Sequence, residues 1–338
     1  MFFMQRCLEL AKKGFPNNLP NPMVGCVIVY DKVIIGQGYH KRYGANHAEV
    51  NAINSVKNKS LLSRSTLYVN LEPCTHFGKT PPCSNLIIKH KIRKVVIGCK
   101  DPFAKVSGKG IQKMKNAGIH IVTGVLEKES KILNKRFFTF HEKKRPYIIL
   151  KWAESKDGFI APKNQTGSFW MTSKKSKKLV HQWRSEENAI LIGRVTAEKD
   201  NPYLTVREIT GKNPTRIVID KNLTLSNKMN IFNSEARTII FNEKKEEENN
   251  QKNFVKIEFN NLINNIQQFL HKQNIQSVII EGGRKTILSF FQKKMWDEAR
   301  IFTTNKKLKE GVKTVKINGE LMLEEKIGDD VLKILYNK

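Results

Sequence analysis

The chain has 338 residues, enough for two ordinary domains, and its 60 basic and 31 acidic residues give a formal charge of +29. No apolar run is long enough to span a bilayer, so no membrane partner is expected. The lysines are spread through both halves rather than gathered in one arm or interleaved with aromatic residues, which argues against a nucleic-acid partner. We interpret the charge as a compositional bias towards lysine, with a phosphorylated substrate as a modest contributor.

The cysteine content and the N-terminal residues indicate the compartment. Five cysteines are a small, odd number, and residues 1–14 form an amphipathic helix pattern interrupted by charges rather than a secretory signal. We therefore expect a reducing compartment and a cytoplasmic location. Cys7, Cys26 and Cys99 fall in helix or strand patterns, where we expect small core residues.

The first half of the chain predicts strands that alternate with helices. A helix over 1–14 is followed by a hairpin of strands 24–30 and 33–39, which turns at Asp31-Lys32. The later strands are predicted at 65–71, 94–99 and 119–122, and the later helices at 47–57, 81–91, 110–117 and 127–138. This alternation predicts a mixed sheet with helices on both faces. A charged linker at 141–146 should divide the chain into domains 1–144 and 145–338.

Three short motifs in this half predict a zinc site. They read H-A-E from His47 to Glu49, E-P-C ending at Cys74 and P-P-C ending at Cys83. One imidazole and two thiolates suit zinc and leave its fourth position open for water, as in catalytic sites. Glu49 is then free to move protons, which is the arrangement of the zinc deaminases. A structural zinc site with His76 as fourth ligand and a pair of inert buried cysteines are the alternatives, but neither accounts for Glu49.

The second half predicts another α/β unit. Its strands are predicted at 147–153, 189–192, 215–220, 238–241 and 277–280, and its helices at 173–187, 260–272 and 285–293. Between them, residues 243–252 have the low-complexity composition of an exposed loop. The turn at Glu281-Gly282-Gly283 allows a phosphate to approach the backbone at a helix start. The sequence has no G-x-G-x-x-G fingerprint, so a Rossmann domain is not expected.

The motifs together resemble those of the bifunctional riboflavin-biosynthesis deaminase/reductase family. In the first half the resemblance rests on N-P-M-V-G-C-V-I-V at 21–29 and on the eight residues between Cys74 and Cys83. In the second half it rests on K-W-A-E-S-K-D-G at 151–158, G-R-V-T-A-E-K-D-N-P-Y-L-T-V-R at 193–207 and the Glu281-Gly282-Gly283 turn. The resemblance implies an α/β fold with an N-terminal cytidine-deaminase-like three-layer domain and a C-terminal dihydrofolate-reductase-like domain.

The family resemblance also implies two reactions in sequence. A zinc-activated hydroxide deaminates a phosphoribosylated diaminopyrimidinone, and NADPH then reduces the ribosyl group of the resulting phosphoribosylaminouracil to ribityl. Zinc and NADPH are the implied cofactors, and a small phosphorylated pyrimidine is the implied partner. We also expect a homo-oligomer, although the sequence cannot give its size.

Residue roles in the deaminase half follow from the same resemblance. It implies His47, Cys74 and Cys83 as zinc ligands and Glu49 as the catalytic proton relay. Four further residues are expected to contact substrate or its phosphate, with an ordinary turn or loop role equally open for each: Asn21, His40, His76 and Lys79.

In the reductase half, Arg184 and Arg207 are expected to clamp phosphate, because guanidinium matches its geometry. Ser168, Leu204 and Glu281 are expected to line the substrate. The residues expected to hold NADPH are Ala153, Trp170, Thr196, Asp200, Gly283, Arg284, Lys285, Thr286, Ile287, Leu288 and Ser289. For Trp170, a place in the core is equally consistent with the sequence alone.

The chain departs from the family pattern at three places. Phe103-Ala104 replaces the asparagine and proline of the usual D-P-N-P, so one polar substrate contact is missing. Lys156 stands where a leucine is usual, and residues 303–319 lack the usual P-x-x-x-G run.

Two other functions compete with this one. A nucleic-acid (tRNA) editing deaminase with an accessory domain would share the H-A-E and P-C motifs and suit the +29 charge. The long insert between the cysteines and the large second domain argue against it. A non-catalytic zinc-stabilised module is the third possibility, and turnover of substrate would exclude it.

Overall fold

The computed structural model describes residues 1–77, 81–104, 106–165, 167 and 169–338. It divides into two compact units, Met1–Lys144 and Arg145–Lys338. Lys79 and Ser168, both predicted substrate contacts, lie outside the described residues. Within the described ranges, no helix combines the length and the apolar character needed to cross a membrane.

The first unit is built on one mixed sheet. Its described strands are β1 (Gly25–Tyr30), β2 (Val33–Tyr39), β3 (Thr66–Leu71), β4 (Lys94–Cys99) and β5 (His120–Thr123), in the order β2-β1-β3-β4-β5. Strand β1 is antiparallel to β2 and β3, while β3, β4 and β5 are parallel. Asp31 and Lys32 have φ of 45° and 63°, which is the type I′ geometry that suits a tight hairpin. The predicted hairpin is therefore confirmed.

Helices cover both faces of this sheet. They are α1 (Phe2–Lys12), α2 (Ala48–Ser55), α3 (Cys83–Lys89), α4 (Lys109–Asn116), α5 (Glu127–Leu133) and α6 (Lys135–Lys143), with a 3₁₀ helix at Lys59–Arg64. Side chains alternate along a strand, so Cys26 and Ile28 pack in the core with α2, α3 and α4. Val27 and Val29 point the other way, into the core that contains α1. The unit therefore has three layers, as the sequence predicted.

One predicted helix of this unit was wrong, and the predicted linker at its end was partly wrong, although the division between the two units falls within it. The helix predicted at 127–138 is two helices, because the side chain of Asn134 turns inward at the junction. It accepts from Met23 N at 2.7 Å and donates to Met23 O at 2.9 Å. The linker predicted at 141–146 begins inside α6, which continues to Lys143. Charged residues also occur on the exposed face of a helix, so a run of charges does not by itself distinguish a linker from the end of a helix.

The second unit contains a long, mostly parallel sheet. Its strands are β6 (Tyr147–Glu154), β7 (Phe159–Ala161), β8 (Ala189–Gly193), β9 (Thr215–Ile219), β10 (Thr238–Asn242), β11 (Glu247–Glu248), β12 (Lys252–Lys256), β13 (Ser277–Ile280), β14 (Glu298–Thr303), β15 (Val312–Lys313), β16 (Glu320–Ile327) and β17 (Asp330–Tyr336). The main sheet runs β11-β12-β10-β9-β8-β13-β6-β14-β17-β16, and β7 pairs separately with β15. The strands β12, β10, β9, β8, β13, β6 and β14 are parallel to one another. At the two ends of the sheet, β11 pairs antiparallel with β12, β17 with β14 and β16 with β17.

Helices again lie on both faces: α7 (Lys174–Glu186), α8 (Arg194–Asp200), α9 (Leu262–Lys272) and α10 (Arg284–Gln292), with a 3₁₀ turn at Asn230–Phe232. Ile266 of α9 and Ile287 of α10 pack in one core, and Val180 of α7 packs in the other. The loop predicted at 243–252 is partly wrong, since Glu247–Glu248 forms an edge strand against β12. Edge pairing uses the backbone, so side-chain composition carries little signal for it.

Candidate active sites

His47, Cys74 and Cys83 come together at one point of the first unit. Their ligand atoms all lie within 4.8 Å of one another. His47 Nδ1 is 3.5 Å from Cys74 Sγ and 3.3 Å from Cys83 Sγ. In the described part of the chain this cluster does not include His76, so nothing there supports the structural site with His76 as fourth ligand. One imidazole and two thiols fit a zinc ion that keeps an open position.

Close helix packing fixes the three ligands. His47 is the N-cap of α2, and this helix reaches β2 because Gly38 has no side chain. A Cβ at Gly38 would lie 2.4 Å from Ala52 N. Cys83 is the first residue of α3, and its N–H points at Cys74 Sγ, 3.4 Å away. Both sulfurs thus lie at one helix start, which favours thiolate.

Glu72 holds the segment that carries Cys74. Its Oε1 accepts from Gly110 N at 2.9 Å and Ile111 N at 3.1 Å, in the first turn of α4. Its Oε2 accepts from Gly108 N at 2.9 Å. Gly110 is required because a Cβ there would lie 2.2 Å from Pro73 O. The glutamate of the E-P-C motif is therefore a helix cap, a role that the sequence analysis did not assign.

The electrostatics of the cluster favour a bound cation. Hydrogen bonds from the Cys83 thiol and the His47 ring lower the pKa of Cys74 to about 4, although burial opposes this. The hydrogen bond to Cys74 raises the pKa of His47 above its ordinary value. The hydrogen bond to Cys74, together with burial, raises the pKa of Cys83, so the metal-free pair keeps one proton. A divalent ion would displace that proton, because metal binding and deprotonation are linked.

Glu49 lies beside the ligands without joining them. Its side chain is only 3% exposed, and it belongs to the first turn of α2. Burial raises the pKa of Glu49, and the His47 ring partly opposes the shift. A carboxyl group with a raised pKa can take up and release a proton nearer to neutral pH, as general acid–base catalysis requires.

The predicted substrate contacts of this unit divide into two places. Asn21 Nδ2 lies 3.0 Å from His40 Nε2, and His40 Nδ1 lies 3.1 Å from Asn46 O. An amide nitrogen only donates, so this pattern sets the His40 proton on Nδ1. The His40 ring is 5.4 Å from that of His47, which brings Asn21 and His40 next to the metal ligands. His76 instead packs edge-on against Phe103, at 5.8 Å between ring centres.

In the second unit, a buried charge cluster joins α7 to the middle of β6 and the end of β13. Arg184 donates to Glu281 Oε2 at 2.8 Å, and Lys151 Nζ is 3.9 Å from Glu281 Oε1. Burial alone would raise the pKa of Glu281, but Arg184 and Lys151 lower it to about 2. Glu281 is therefore ionised, and the guanidinium of Arg184 is already paired with a carboxylate.

Arg207 has a different setting. Its guanidinium donates to Thr205 Oγ1 at 3.0 Å and lies 5.0 Å from the centre of the Tyr203 ring. The residue is exposed, so its remaining donors can reach a ligand. Leu204 is buried in the core with a positive φ of 56°, which is strained for a residue with a side chain. The backbone leading to Arg207 is thus held in one conformation.

The predicted NADPH residues gather where β8 and β13 end. Gly283 N donates to Thr196 Oγ1 at 2.9 Å. A Cβ at Gly282 would lie 2.6 Å from Thr286 Cβ, so glycine allows this close packing. Arg284 and Lys285 are exposed in the first turn of α10. Two cations at a helix start suit the phosphates of a dinucleotide.

The other predicted NADPH residues are more varied. Asp200 accepts from Gln165 Nε2 at 2.5 Å. The Trp170 ring is partly exposed and lies 5.4 Å from Lys177 Nζ, so it is not a core residue. Ile287 is fully buried in the core, so a ligand could reach it through the backbone alone. The remaining three are half-buried: Ala153, Leu288 and Ser289.

Lys151 was missed by the sequence analysis as a site residue. It begins the K-W-A-E-S-K-D-G motif, yet a lysine inside a strand gives no sign of where its amine lies. The structure places that amine between Glu281 and the Trp170 ring, 6.0 Å from the ring centre. Burial lowers the pKa of Lys151. The only available signal was an unpaired charge within an otherwise apolar strand.

Both units match known families. Residues 1–99 match the cytidine and deoxycytidylate deaminase zinc-binding region. Residues 146–314 match the RibD C-terminal domain. The riboflavin biosynthesis protein RibD of Aquifex aeolicus is 41% identical over 92% of this chain and 88% of its own length.

Solved structures agree over the full length. A diaminohydroxyphosphoribosylaminopyrimidine deaminase/5-amino-6-(5-phosphoribosylamino)uracil reductase from Thermotoga maritima has a TM-score of 0.88 and 38% identity, and the match covers 100% of this chain and 98% of that one. Acinetobacter baumannii RibD has a TM-score of 0.89 and 30% identity over the same shares. The predicted combination of a cytidine-deaminase-like domain and a dihydrofolate-reductase-like domain is confirmed.

Proposed function

The chain belongs to the RibD family of bifunctional riboflavin-biosynthesis enzymes, and we propose that the side chains described above carry out its two reactions. It is a zinc-dependent deaminase and an NADPH-dependent reductase. The nucleic-acid-editing alternative is not favoured, because the second unit belongs to the reductase family. The observation that carries the assignment of residues is the buried Glu49 beside the His47, Cys74 and Cys83 cluster.

In the deaminase unit, His47, Cys74 and Cys83 would hold zinc. Bound zinc supplies Lewis acidity and a nucleophile at neutral pH. The reaction replaces the ring amine by oxygen from water and releases ammonia, so one proton must travel from the water to the amine. Glu49 is buried beside the ligands with a raised pKa, and its carboxylate would take up this proton and pass it to the amine.

The neighbouring polar residues would bind the rest of this substrate. Asn21 and His40 lie beside the metal ligand His47 and form one hydrogen-bonded pair. We propose that they contact the substrate, together with His76 and Lys79. Phe103 stands where the family pattern has an asparagine, and its ring packs against His76. Aromatic packing therefore replaces the polar contact that the asparagine would make.

In the reductase unit, NADPH would bind across the ends of β8 and β13, with Arg284 and Lys285 near its phosphates. It supplies a hydride, and reduction of the sugar carbon also requires one proton. Lys151 of β6 lies 3.9 Å from Glu281, the first residue after β13. The lysine amine would deliver that proton, and the ionised carboxylate of Glu281 would hold the amine in place. Arg207, with its exposed guanidinium, would bind the substrate phosphate.

The function is tested most directly by combining zinc analysis with two activity assays on one preparation. The purified protein should contain about one zinc per chain. It should release ammonia from the diaminopyrimidine substrate and then oxidise NADPH. Protein that contains zinc and remains folded, yet shows neither activity, would contradict the assignment. Steeply salt-dependent RNA binding with RNA deamination would favour the editing function instead.

We also propose that the protein is a homo-oligomer, on the evidence of strand β16. This strand lies at the edge of the sheet, and its apolar residues Leu321, Met322 and Leu323 are 52%, 46% and 39% exposed. Exposed apolar edge strands tend to pair with another chain. A Leu321→Asp, Leu323→Asp variant should have a lower mass by light scattering, whereas a Lys333→Asp control on β17 should not. Parent protein that is monomeric at all concentrations would contradict the proposal.

We also propose that the protein is located in the cytoplasm. All five cysteines are free, and two of them are zinc ligands in this assignment. Thiolate ligands persist in a reducing environment.

A further inference from the structure

His181 lies between the two arginines of the reductase unit. Lys177, His181 and Arg184 are spaced by four and three residues on α7, so they share one face of the helix. Lys177 pairs with Glu208 at 2.6 Å, and Arg184 pairs with Glu281 at 2.8 Å. His181 is therefore the middle residue of a polar stripe that runs from the 203–208 segment to Glu281.

One nitrogen of the His181 ring is engaged by Arg207. The backbone N–H of Arg207 donates to His181 Nδ1 at 3.1 Å. A ring nitrogen can accept a hydrogen bond only when it carries no proton, so the ring is neutral and its proton is on Nε2. Burial, followed by the charges of Arg184 and Arg207, lowers the pKa of His181 to about 4, which agrees with a neutral ring at physiological pH.

The other nitrogen is a donor that is buried without a partner. His181 is fully buried, and within the described ranges its Nε2 has no hydrogen-bond partner. Arg184 Nε in the same cluster is also buried and has no hydrogen-bond partner among the described residues. Buried polar atoms are nearly always paired, because an unpaired one costs roughly 1–3 kcal/mol. Two such donors in one cluster indicate that a ligand with acceptor atoms completes it.

We propose that His181 is a substrate-binding residue of the reductase, whose Nε2–H donates to the phosphate that Arg207 binds. This inference rests on the proposed reductase function and adds a residue that the sequence motifs did not indicate. A neutral donor suits this place because Arg207 already supplies positive charge, and a further buried cation would be costly. The Nδ1 bond to Arg207 N would hold the two phosphate donors in a fixed relative position.

Two substitutions separate the two ring nitrogens. In His181→Asn the amide oxygen can replace Nδ1 as the acceptor for Arg207 N, but the Nε2 donor is lost. In His181→Gln the amide N–H can replace the Nε2 donor, while the Nδ1 acceptor is lost. His271→Asn on α9 is the control, because this histidine lies outside the stripe.

The experiment measures two inhibition constants with full-length protein. The phosphorylated substrate is assayed at saturating NADPH, and ribose 5-phosphate and ribose serve as competing probes. His181→Asn should weaken the binding of the phosphorylated substrate and of ribose 5-phosphate by roughly tenfold to a hundredfold. This is the range expected for loss of a hydrogen bond to a charged group. Ribose binding should be unchanged, His181→Gln should recover part of the loss, and the control should match the parent.

Three outcomes would overturn the proposal. His181→Asn within twofold of the parent for ribose 5-phosphate would show that Nε2 is not used. Equal losses for ribose 5-phosphate and ribose would show a general structural role. A larger loss in His181→Gln than in His181→Asn would show that the ring serves only to hold Arg207. Parent protein without NADPH oxidation would contradict the proposed function itself, so the two failures are distinguishable.

Discussion

Arg184, in the last turns of α7, donates a 2.8 Å hydrogen bond to Glu281, the first residue after β13. Their side chains are only 6% and 10% exposed. Removing one member of such a pair leaves an uncompensated charge in the interior, whereas the intact pair contributes little net stability. The pair therefore fixes the position of Glu281 more than it stabilises the unit.

Breaking this pair should destabilise the second unit. We expect Arg184→Met to lower the free energy of unfolding by about 3–5 kcal/mol, and Arg184→Met with Glu281→Leu to recover part of the loss. Urea unfolding followed by tryptophan fluorescence reports on this unit, because all four tryptophans belong to it. Arg194→Met is the control, since it breaks the half-exposed Arg194–Glu198 pair and should cost less than about 1 kcal/mol. Equal losses in the two single variants would contradict the prediction.

Zinc binding should depend on Cys83. We expect Cys83→Ser to lose zinc and deaminase activity together, because a serine hydroxyl does not replace a thiolate as a zinc ligand. Zinc is measured by elemental analysis after dialysis. Cys99→Ser is the matched control, since Cys99 is also buried but lies outside the ligand cluster and donates to Asn70 O at 3.3 Å, and it should keep both properties. Full zinc occupancy in a variant that lacks His47, Cys74 and Cys83 would defeat the assignment.

The two activities should be separable at Glu49. In Glu49→Gln the amide cannot relay a proton, so ammonia release should be lost while zinc is retained. NADPH oxidation should continue when the deaminated intermediate is supplied, because the two units share no proposed catalytic residue. If both activities disappear while the protein remains folded, the two-site assignment is wrong.

Arg207 should contribute to reductase efficiency. Loss of a charge-assisted hydrogen bond to phosphate costs roughly 1.5–3 kcal/mol, so Arg207→Ala should lower kcat/KM for reduction by about tenfold to over a hundredfold. Arg207→Lys keeps the charge but not the planar fork, and it should recover only part. Deamination should be unaffected in both. An Arg207→Ala enzyme within twofold of the parent would show that the phosphate is bound elsewhere.

Asp101 should make the stability of the first unit depend on pH. Burial raises the pKa of Asp101 from 3.8 to about 7, although the hydrogen bond from Phe103 N opposes this. A carboxyl whose pKa is raised on folding contributes stability that is complete below pH 3.8 and is lost as the pH rises through about 7. Asp101→Asn should therefore be more stable than the parent at pH 8, by on the order of 1.4 kcal/mol for each pH unit of the raised pKa.

Calorimetry of chelator-treated protein at several pH values measures this difference, which should vanish near pH 4. Asp157 is the control, because its pKa is shifted in the opposite direction from that of Asp101. A hydrogen bond from Ser155, with backbone bonds from Leu308 and Lys309, lowers the pKa of Asp157 to about 2. Its contribution is present above the ordinary pKa and is lost as the pH falls towards 2. A difference between Asp101→Asn and parent that does not change with pH would refute the prediction.

The sequence predicted those parts of the fold and site that depend on neighbouring residues. His47 and Glu49 lie in one helical turn, and the hairpin at Asp31-Lys32 follows from two adjacent strand patterns. The Arg184–Glu281 pair joins residues 97 positions apart, and no local pattern indicates which charge a buried arginine will meet. The sequence predicted a phosphate contact for Arg184, which stays a prediction, but it gave no indication that the guanidinium pairs with Glu281.

Strand β14 shows the same limit for secondary structure. Glu298 and Arg300 interrupt its apolar pattern, and no strand was predicted there. The structure buries both residues and joins them by a 2.6 Å hydrogen bond. A charged residue in a central strand is compatible with burial once its partner is beside it, but that partner is visible only after folding. Glu72 is a similar case, since its acceptors are satisfied by backbone groups more than 35 positions away.

The place of β17 in the sheet has a consequence for folding during synthesis. This strand, Asp330–Tyr336, lies between β14 and β16, and Asp330 accepts from Ser173 N and Ser176 Oγ at the start of α7. Residues 330–336 must therefore be synthesised before the reductase sheet can close, whereas the first unit uses only residues 1–144. At the usual rate of translation, the ribosome takes roughly 10–40 s to pass from residue 144 to residue 336. During this time, β14 is an unpaired edge of an incomplete sheet, and an exposed edge of this kind can pair with another chain.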